Sequence, residues 1–234
     1  MSGAAVAARG LTKRFGRAVA LDALDLDIAA GESLAVLGPN GSGKSTLLRL
    51  LAGLARPSAG RLAIDGEPAH ARAARARVGY VGHATLLYPA LTARENLAFA
   101  ARLHGVRDAA ARAGAVLAEE GLAELADVPV AGLSRGTAQR VAIARGLVHD
   151  PGLVLLDEPF TGLDRAASER LAQRLARLRQ AGRTFVLVTH DLVQAARLSD
   201  AALVLSGGRA VHACRGAGAG ELERAYLAAV ESAA

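Results

Sequence analysis

Nine residues limit the possible folds of this chain more than any other stretch: Gly38-Pro39-Asn40-Gly41-Ser42-Gly43-Lys44-Ser45-Thr46. They fit G-x-x-x-x-G-K-[ST], the phosphate-binding P-loop. Water solvates a triphosphate well, so a protein that binds one must offer many hydrogen bonds at once. Glycines let the backbone turn tightly and aim successive N–H groups at phosphate oxygens. Lys44 supplies a mobile cation for the β- and γ-phosphates, and the Ser45 hydroxyl is placed for Mg2+. The flanks suit the motif. Ser33–Leu37 reads as a buried strand, and residues 46–54 read as a helix whose N-terminus faces the anion.

The chain is long enough to build around that unit. Its 234 residues, 52% of them hydrophobic, suffice for one large domain or a domain with a subdomain. No apolar run approaches the ~18–20 residues needed to span a bilayer. The start lacks a basic segment followed by a long apolar one, so no signal peptide is expected and the cytoplasm is the expected compartment. A single cysteine, Cys214, excludes an internal disulfide framework and agrees with reducing surroundings. Net charge is +6, yet 26 of the 28 basic residues are arginines spread over many helices, and aromatics make up only 3%. That pattern offers little for base stacking, and no nucleic-acid partner is expected.

Residues 4–11 read as a first strand, followed by Lys13-Arg14-Phe15-Gly16, whose aromatic ring can stack on a base. Residues 24–28 alternate apolar and charged side chains, as a strand with one wet face does. Residues 61–64 form a short strand closed by the turn Asp65-Gly66. Val78–Val81 is a further buried strand running into Gly82-His83. Thr92 and Glu95 form a capping box opening a helix to Gly105, and Asp108 caps a second helix reaching about residue 126. Another helix runs from Ala138 to about His149. Residues of about 84–150 thus read as an inserted helical subdomain within one domain spanning 1–234. Beyond it lie two uniformly apolar strands, 153–156 and 184–188, as expected in a sheet covered on both faces. Asp164 caps the helix between them, residues 202–205 make a last strand, and 221–232 a closing helix.

Ligands of parallel α/β sheets gather at the carboxyl ends of strands. Three such ends carry suitable groups here. One is the P-loop. The second is Asp157-Glu158, where Asp157 can hold Mg2+ through water and Glu158 can orient or deprotonate an attacking water. The third is His190, able to donate a hydrogen bond to a γ-phosphate.

This ordered set is similar to the nucleotide-binding subunit of ATP-binding cassette (ABC) transporters over nearly the whole chain. The resemblance rests on Phe15, Gly38–Thr46, His83, Ser134–Thr137, Asp157-Glu158, Gly162-Leu163-Asp164 and His190. It implies a P-loop NTPase fold: an α/β, RecA-like core with an antiparallel β subdomain and an inserted helical subdomain. It implies ATP and Mg2+ as ligands, with Phe15 on the adenine and Glu158, His190 and Lys44 in catalysis. Ser45 and Asp157 fall at the metal, as does His83 at the Q-loop position. Ser134 and Gly136 open a helix, so they form a second anion-binding N-terminus, which suggests a partner's phosphate. The family's arrangement is a head-to-tail dimer with two ATPs between one P-loop and the other subunit's signature loop. Closing and opening of that dimer drive separate membrane subunits, with this chain peripheral on the inner face of the cell membrane.

Two departures stand out. The signature reads LSRGT, so Arg135 adds a cation and Thr137 reaches less far than a glutamine. His83 occupies the Q-loop glutamine's place. Imidazole is a poor Mg2+ ligand, and two readings stand: His83 senses the metal through water, or it is a surface loop residue. Residues 79–97, with Gly82-His83 and L-T-x-x-E-N-L, also resemble the haem exporter ATPase of bacterial cytochrome c maturation. That would make haem the cargo, not bound by this chain. A drug, lipid or polysaccharide exporter is the alternative. A soluble ABC ATPase acting on DNA or ribosomes fits the chain length least. His212-x-Cys214 lacks further ligands in the sequence and reads as structural.

Overall fold

The computed structural model describes residues 5–216 and 218–231. The N-terminal part runs through β1 (Val6–Phe15), β2 (Ala18–Ile28), β3 (Ser33–Leu37), α1 (Lys44–Leu51), β4 (Ala59–Ile64) and β5 (Glu67–Pro68). Helix α2 (Arg72–Ala76) and β6 (Val78–Val81) lead to α3 (Ala93–Leu103), α4 (Ala109–Glu119) and α5 (Arg135–Leu147). The C-terminal part comprises β7 (Leu153–Asp157), α6 (Arg165–Gln180), β8 (Thr184–Val188), α7 (Leu192–Leu198), β9 (Ala201–Ser206), β10 (Arg209–Arg215) and α8 (Ala219–Glu231).

Two sheets result. Strands β2-β1-β4-β5 form an antiparallel sheet, and β10-β9-β3-β8-β7-β6 form a larger one. In the larger sheet every pair is parallel except β10 on β9 at the edge. Strands β3, β7 and β8 are buried at every position because alternate side chains meet a separate apolar layer. Leu153, Leu155, Val186 and Val188 pack toward α1 and the antiparallel sheet through Leu47, Leu48, Leu50 and Leu51. Val154, Leu156, Phe185 and Leu187 face Ile143 and Leu147 of α5, Leu171 and Leu175 of α6, and Leu198 of α7.

Helices α3, α4 and α5 bury an apolar cluster of their own, with Leu97, Val116, Leu117 and Val141 at its centre. The capping box forms as expected. Thr92 Oγ1 accepts from the Glu95 N–H at 3.1 Å, and Glu95 Oε2 accepts from the Thr92 N–H at 2.8 Å. Buried Asn96 anchors the preceding loop. Its Oδ1 accepts from the Tyr88 N–H, and its Nδ2 donates to the Tyr88, Leu91 and Thr92 carbonyls.

Several boundaries differ from the sequence reading, each for a local reason. Strand β1 runs on through Phe15, pairing Phe15 with Ala18, so Lys13-Arg14-Phe15 is strand and not loop; residue 4 lies outside the described residues. Helix α1 begins at Lys44 and stops at Leu51, short of Leu54. There Gly53 turns left-handed, and the Gly53 and Leu54 N–H groups close on the Leu50 and Arg49 carbonyls. Helix α4 ends the same way at Gly121, leaving Ala123–Leu125 as one 3-10 turn in place of helix to residue 126. Helix α5 starts at Arg135, not Ala138, because Ser134 caps it. Closing helix α8 starts at Ala219, and Ser232 lies outside the described residues. Helices α2 and α7 and strands β5 and β10 are short or surface-lying and carry no strong periodicity.

Candidate phosphate-binding site

The site sits where β3, β7 and β8 end together at one edge of the parallel sheet, in a cleft of about 320 Å³. The P-loop from Asn40 to Thr46, His83, Asp157 and Glu158 line it, with Ala20 of β2 and Val188 at its walls. Gly38 sits at φ +140, and a Cβ there would collide with the Leu205 carbonyl and the Ser42 hydroxyl. The loop therefore lies directly against β9, which an alanine at this position would prevent.

Lys44 folds back over the loop. Its Nζ donates to the Gly38 and Pro39 carbonyls at 2.7 and 2.8 Å. Partial burial holds its pKa below the usual lysine value, against the opposing pull of Glu158 and Asp157. Ser45 Oγ donates to Asp157 Oδ1 at 3.3 Å, which joins the start of α1 to the end of β7. Asp157 is buried, whereas Ser45 is open to the cleft.

Glu158 adopts φ +51, a left-handed backbone that costs a non-glycine residue of order 1–3 kcal/mol. Its N–H holds the turn by donating to the Val188 carbonyl at 3.0 Å. The turn brings the carboxylate to His190, whose Nδ1 lies 2.9 Å from Glu158 Oε2. His190 remains mostly exposed, so its ring can swing to a ligand without unpacking anything. No periodicity rule marks a strained residue such as Glu158; only the sheet geometry does.

The other sequence candidates lie elsewhere. Phe15, at the end of β1, is 53% exposed, carries Lys13 Nζ over its ring at 4.9 Å, and does not line the cleft. Ser134 caps α5, with its Oγ accepting from the Thr137 N–H at 3.2 Å and sharing a 2.9 Å hydrogen bond with Thr137 Oγ1. Gly136 packs so tightly on the Gly162 carbonyl that a Cβ there would lie 3.2 Å from it. Neither Ser134 nor Gly136 lines this chain's own cleft. One buried residue escaped the sequence reading: Gln139 on α5 reaches the Pro159 carbonyl at 3.5 Å, linking that helix to the turn after Glu158.

The family model described as ABC transporter matches residues 21–161, more than half of the chain. The chain belongs to the ABC transporter family. Among its relatives, the Nod factor export ATP-binding protein I of Ralstonia nicotianae is 40% identical over 206 residues, covering 86% of this chain and 64% of the relative. The sulfate/thiosulfate import ATP-binding protein CysA of Caulobacter vibrioides is 41% identical over 212 residues, covering 87% and 62%. The chain thus spans less than two thirds of either protein's length. Among solved structures, the dimeric ATP-binding cassette MJ0796 in a post-hydrolysis state with ADP and Pi superposes with a TM-score of 0.84 at 31% identity, covering 91% of this chain and 99% of that one. An ABC ATPase fold is therefore common to both: a P-loop core, an antiparallel sheet and a helical part. No helix among the described residues is long and apolar enough to cross a membrane.

Proposed function

We propose that this chain is the ATP-hydrolysing motor of a membrane transporter, working as a dimer that closes on two ATPs. The observation that carries the reading is the convergence of Lys44, the Ser45–Asp157 pair and Glu158 in one cleft, with His190, outside the lining, held to Glu158. Backbone N–H groups of residues 41–46 and Lys44 would hold the phosphates. The Ser45 hydroxyl and Asp157 carboxylate are hard oxygen donors of the kind Mg2+ prefers, so these two residues fit that ion. Mg2+, when bound, would neutralise phosphate charge. Glu158 would take a proton from water as the water oxygen attacks the γ-phosphorus and the bond to the bridging oxygen breaks. His190 would position Glu158 and donate to the γ-phosphate. Ser134 and Gly136 would meet the phosphate of a second copy.

Residues 84–150 would serve as the helical subdomain facing the membrane partner. A groove of about 660 Å³ between that block and the α2–β6 edge supports this role. Leu54, Leu86 and Leu103, at 61%, 53% and 70% exposed, stand beside it, and Arg72, Arg75, Arg102 and Arg145 line it. A cytoplasmic helix of a membrane subunit would fill such a groove and place this chain on the inner face of the membrane.

Service to an exporter is the reading compatible with the Nod factor relatives. Haem stands as a second reading for the cargo, resting on Gly82-His83. The L-T-x-x-E-N-L stretch adds little to it, since Thr92, Glu95 and Asn96 are occupied with capping and loop anchoring. The decisive experiment for the motor uses Glu158→Gln. That variant is expected to bind ATP, to hydrolyse it at least 100-fold more slowly, and to elute as a dimer only with ATP. Turnover at the parent rate would remove Glu158 from the role of base. A complex purified from its native membrane without a Soret band would discard haem.

A further inference from the structure

Strand β10 and helix α8 bring together three ligand types that lie outside the nucleotide site and outside the region matched to the family. His212 and Cys214 are two residues apart on β10, so the pleat turns both side chains to one face. Glu221 in the first turn of α8 comes down onto that face. The imidazole nitrogen, the thiol sulfur and the carboxylate oxygen all lie within 4.8 Å of one another. His212 Nε2 is shielded from solvent, accepts or donates no hydrogen bond, and stands 3.8 Å from Glu221 Oε1.

We infer that His212, Cys214 and Glu221 form a binding site for a divalent transition-metal ion of the Zn2+ class, with a fourth position open to water. Nitrogen, thiolate and carboxylate are ligands that Zn2+ accepts in tetrahedral sites. Bond lengths of about 2.0–2.3 Å put ligand atoms roughly 3.3–3.6 Å apart in such a site. The 3.8 Å separation of His212 and Glu221 is close to that, and rotamer changes of exposed Glu221 and the partly exposed His212 and Cys214 close the rest. The sulfur and nitrogen donors select against Mg2+ and Ca2+, which favour oxygen. As the Sγ–metal bond forms, the thiol proton leaves to solvent. Sequence spacing supplied only the first two ligands; the third arrives through the packing of α8 on β9 and α7. The ion would staple the closing helix to the sheet edge.

The test uses the full chain, stripped of metal by chelation and kept free of nucleotide so that the phosphate cleft has no ligand to recruit a cation. Co2+ is titrated while the near-ultraviolet spectrum is read, and Zn2+ is then added in competition. One Co2+ per chain is expected, with a thiolate-to-metal charge-transfer band that Zn2+ abolishes. Zn2+ at about 100 times its Kd is expected to raise Tm by roughly 5–10 °C. Cys214→Ser should remove the band, and His212→Ala and Glu221→Gln should each weaken binding at least 10-fold, with His70→Ala as the unaffected control. Because these positions are partly or fully exposed, circular dichroism and ATP binding of the variants should match the parent. A missing charge-transfer band, or equal affinity in Cys214→Ser, overturns the site and leaves a His212–Glu221 contact only.

Discussion

Lys44 shows how a single residue can be held ready for an anion. Its ammonium is half-buried, yet it donates to two carbonyls of its own loop. A phosphate would replace those neutral acceptors with charged ones, adding the attraction of opposite charges in a partly desolvated site. Lys44→Ala is therefore expected to lower ATP affinity about 10–100-fold, by the 1.5–3 kcal/mol of a hydrogen bond to a charged group. Calorimetric titration with ATP reads this directly, and unchanged affinity would remove Lys44 from the phosphates. His83 is the second test at this scale. It lines the same cleft as Ser45, Asp157 and Glu158, so His83→Ala is expected to slow ATP turnover about 10-fold, or 1.4 kcal/mol in barrier, with ATP affinity within about 2-fold. Parent-rate turnover would return His83 to an ordinary loop residue.

Among the elements, those with strong apolar runs and explicit caps were legible in the sequence. Strands β3, β6, β7 and β8 and the capped starts of α3, α4 and α6 fall where read. Left-handed glycines were harder to place, because Gly53 and Gly121 pass for tolerated residues inside a helix until the chain folds back around them. The strained Glu158 and the three-ligand cluster near α8 depend on contacts between distant segments, which spacing does not encode. The junction between the helical block and the core is another such contact. His104, capping α3, stacks on His149 just beyond α5 with ring centroids 3.6 Å apart. His149 Nε2–H donates to the Val78 carbonyl at 3.1 Å. Burial, and then the neighbouring His104, push the His149 pKa down to about 4. In the unfolded chain the group titrates near its ordinary value of about 6.5. Above both values neither state holds the proton, and the neutral stack is fully stable. As pH falls from about 6.5 to about 4 the unfolded chain takes up the proton first, so stability falls, by at most about 3 kcal/mol from this residue. Urea unfolding of the parent and of His149→Asn across that range should diverge in slope, the variant lacking this component. Parallel slopes would show that His149 carries its proton in the folded protein too.

At the scale of the whole molecule, the cap of α5 and the phosphate cleft pose one problem between them. Ser134 and Arg135 are exposed at a helix N-terminus, where free N–H groups favour an anion. No residue from 134 to 137 reaches the cleft of the same chain. A two-fold pairing in which each copy offers its cleft to the other's α5 tip satisfies both needs at once. On that proposal each ATP site would be a composite, and composites can be reassembled from broken parts. Lys44→Ala spoils a cleft and leaves the tip intact. Arg135→Glu leaves the cleft intact and sets a carboxylate facing the partner's phosphates. In a mixed dimer, one site inherits both defects and the other inherits neither. Random 1:1 mixing gives half mixed dimers, each with one of two sites whole, so ATP turnover should recover to about a quarter of the parent rate. Each variant alone should stay near background. If the mixture remains as inactive as its components, the two features act within one chain, and the shared-site dimer is wrong.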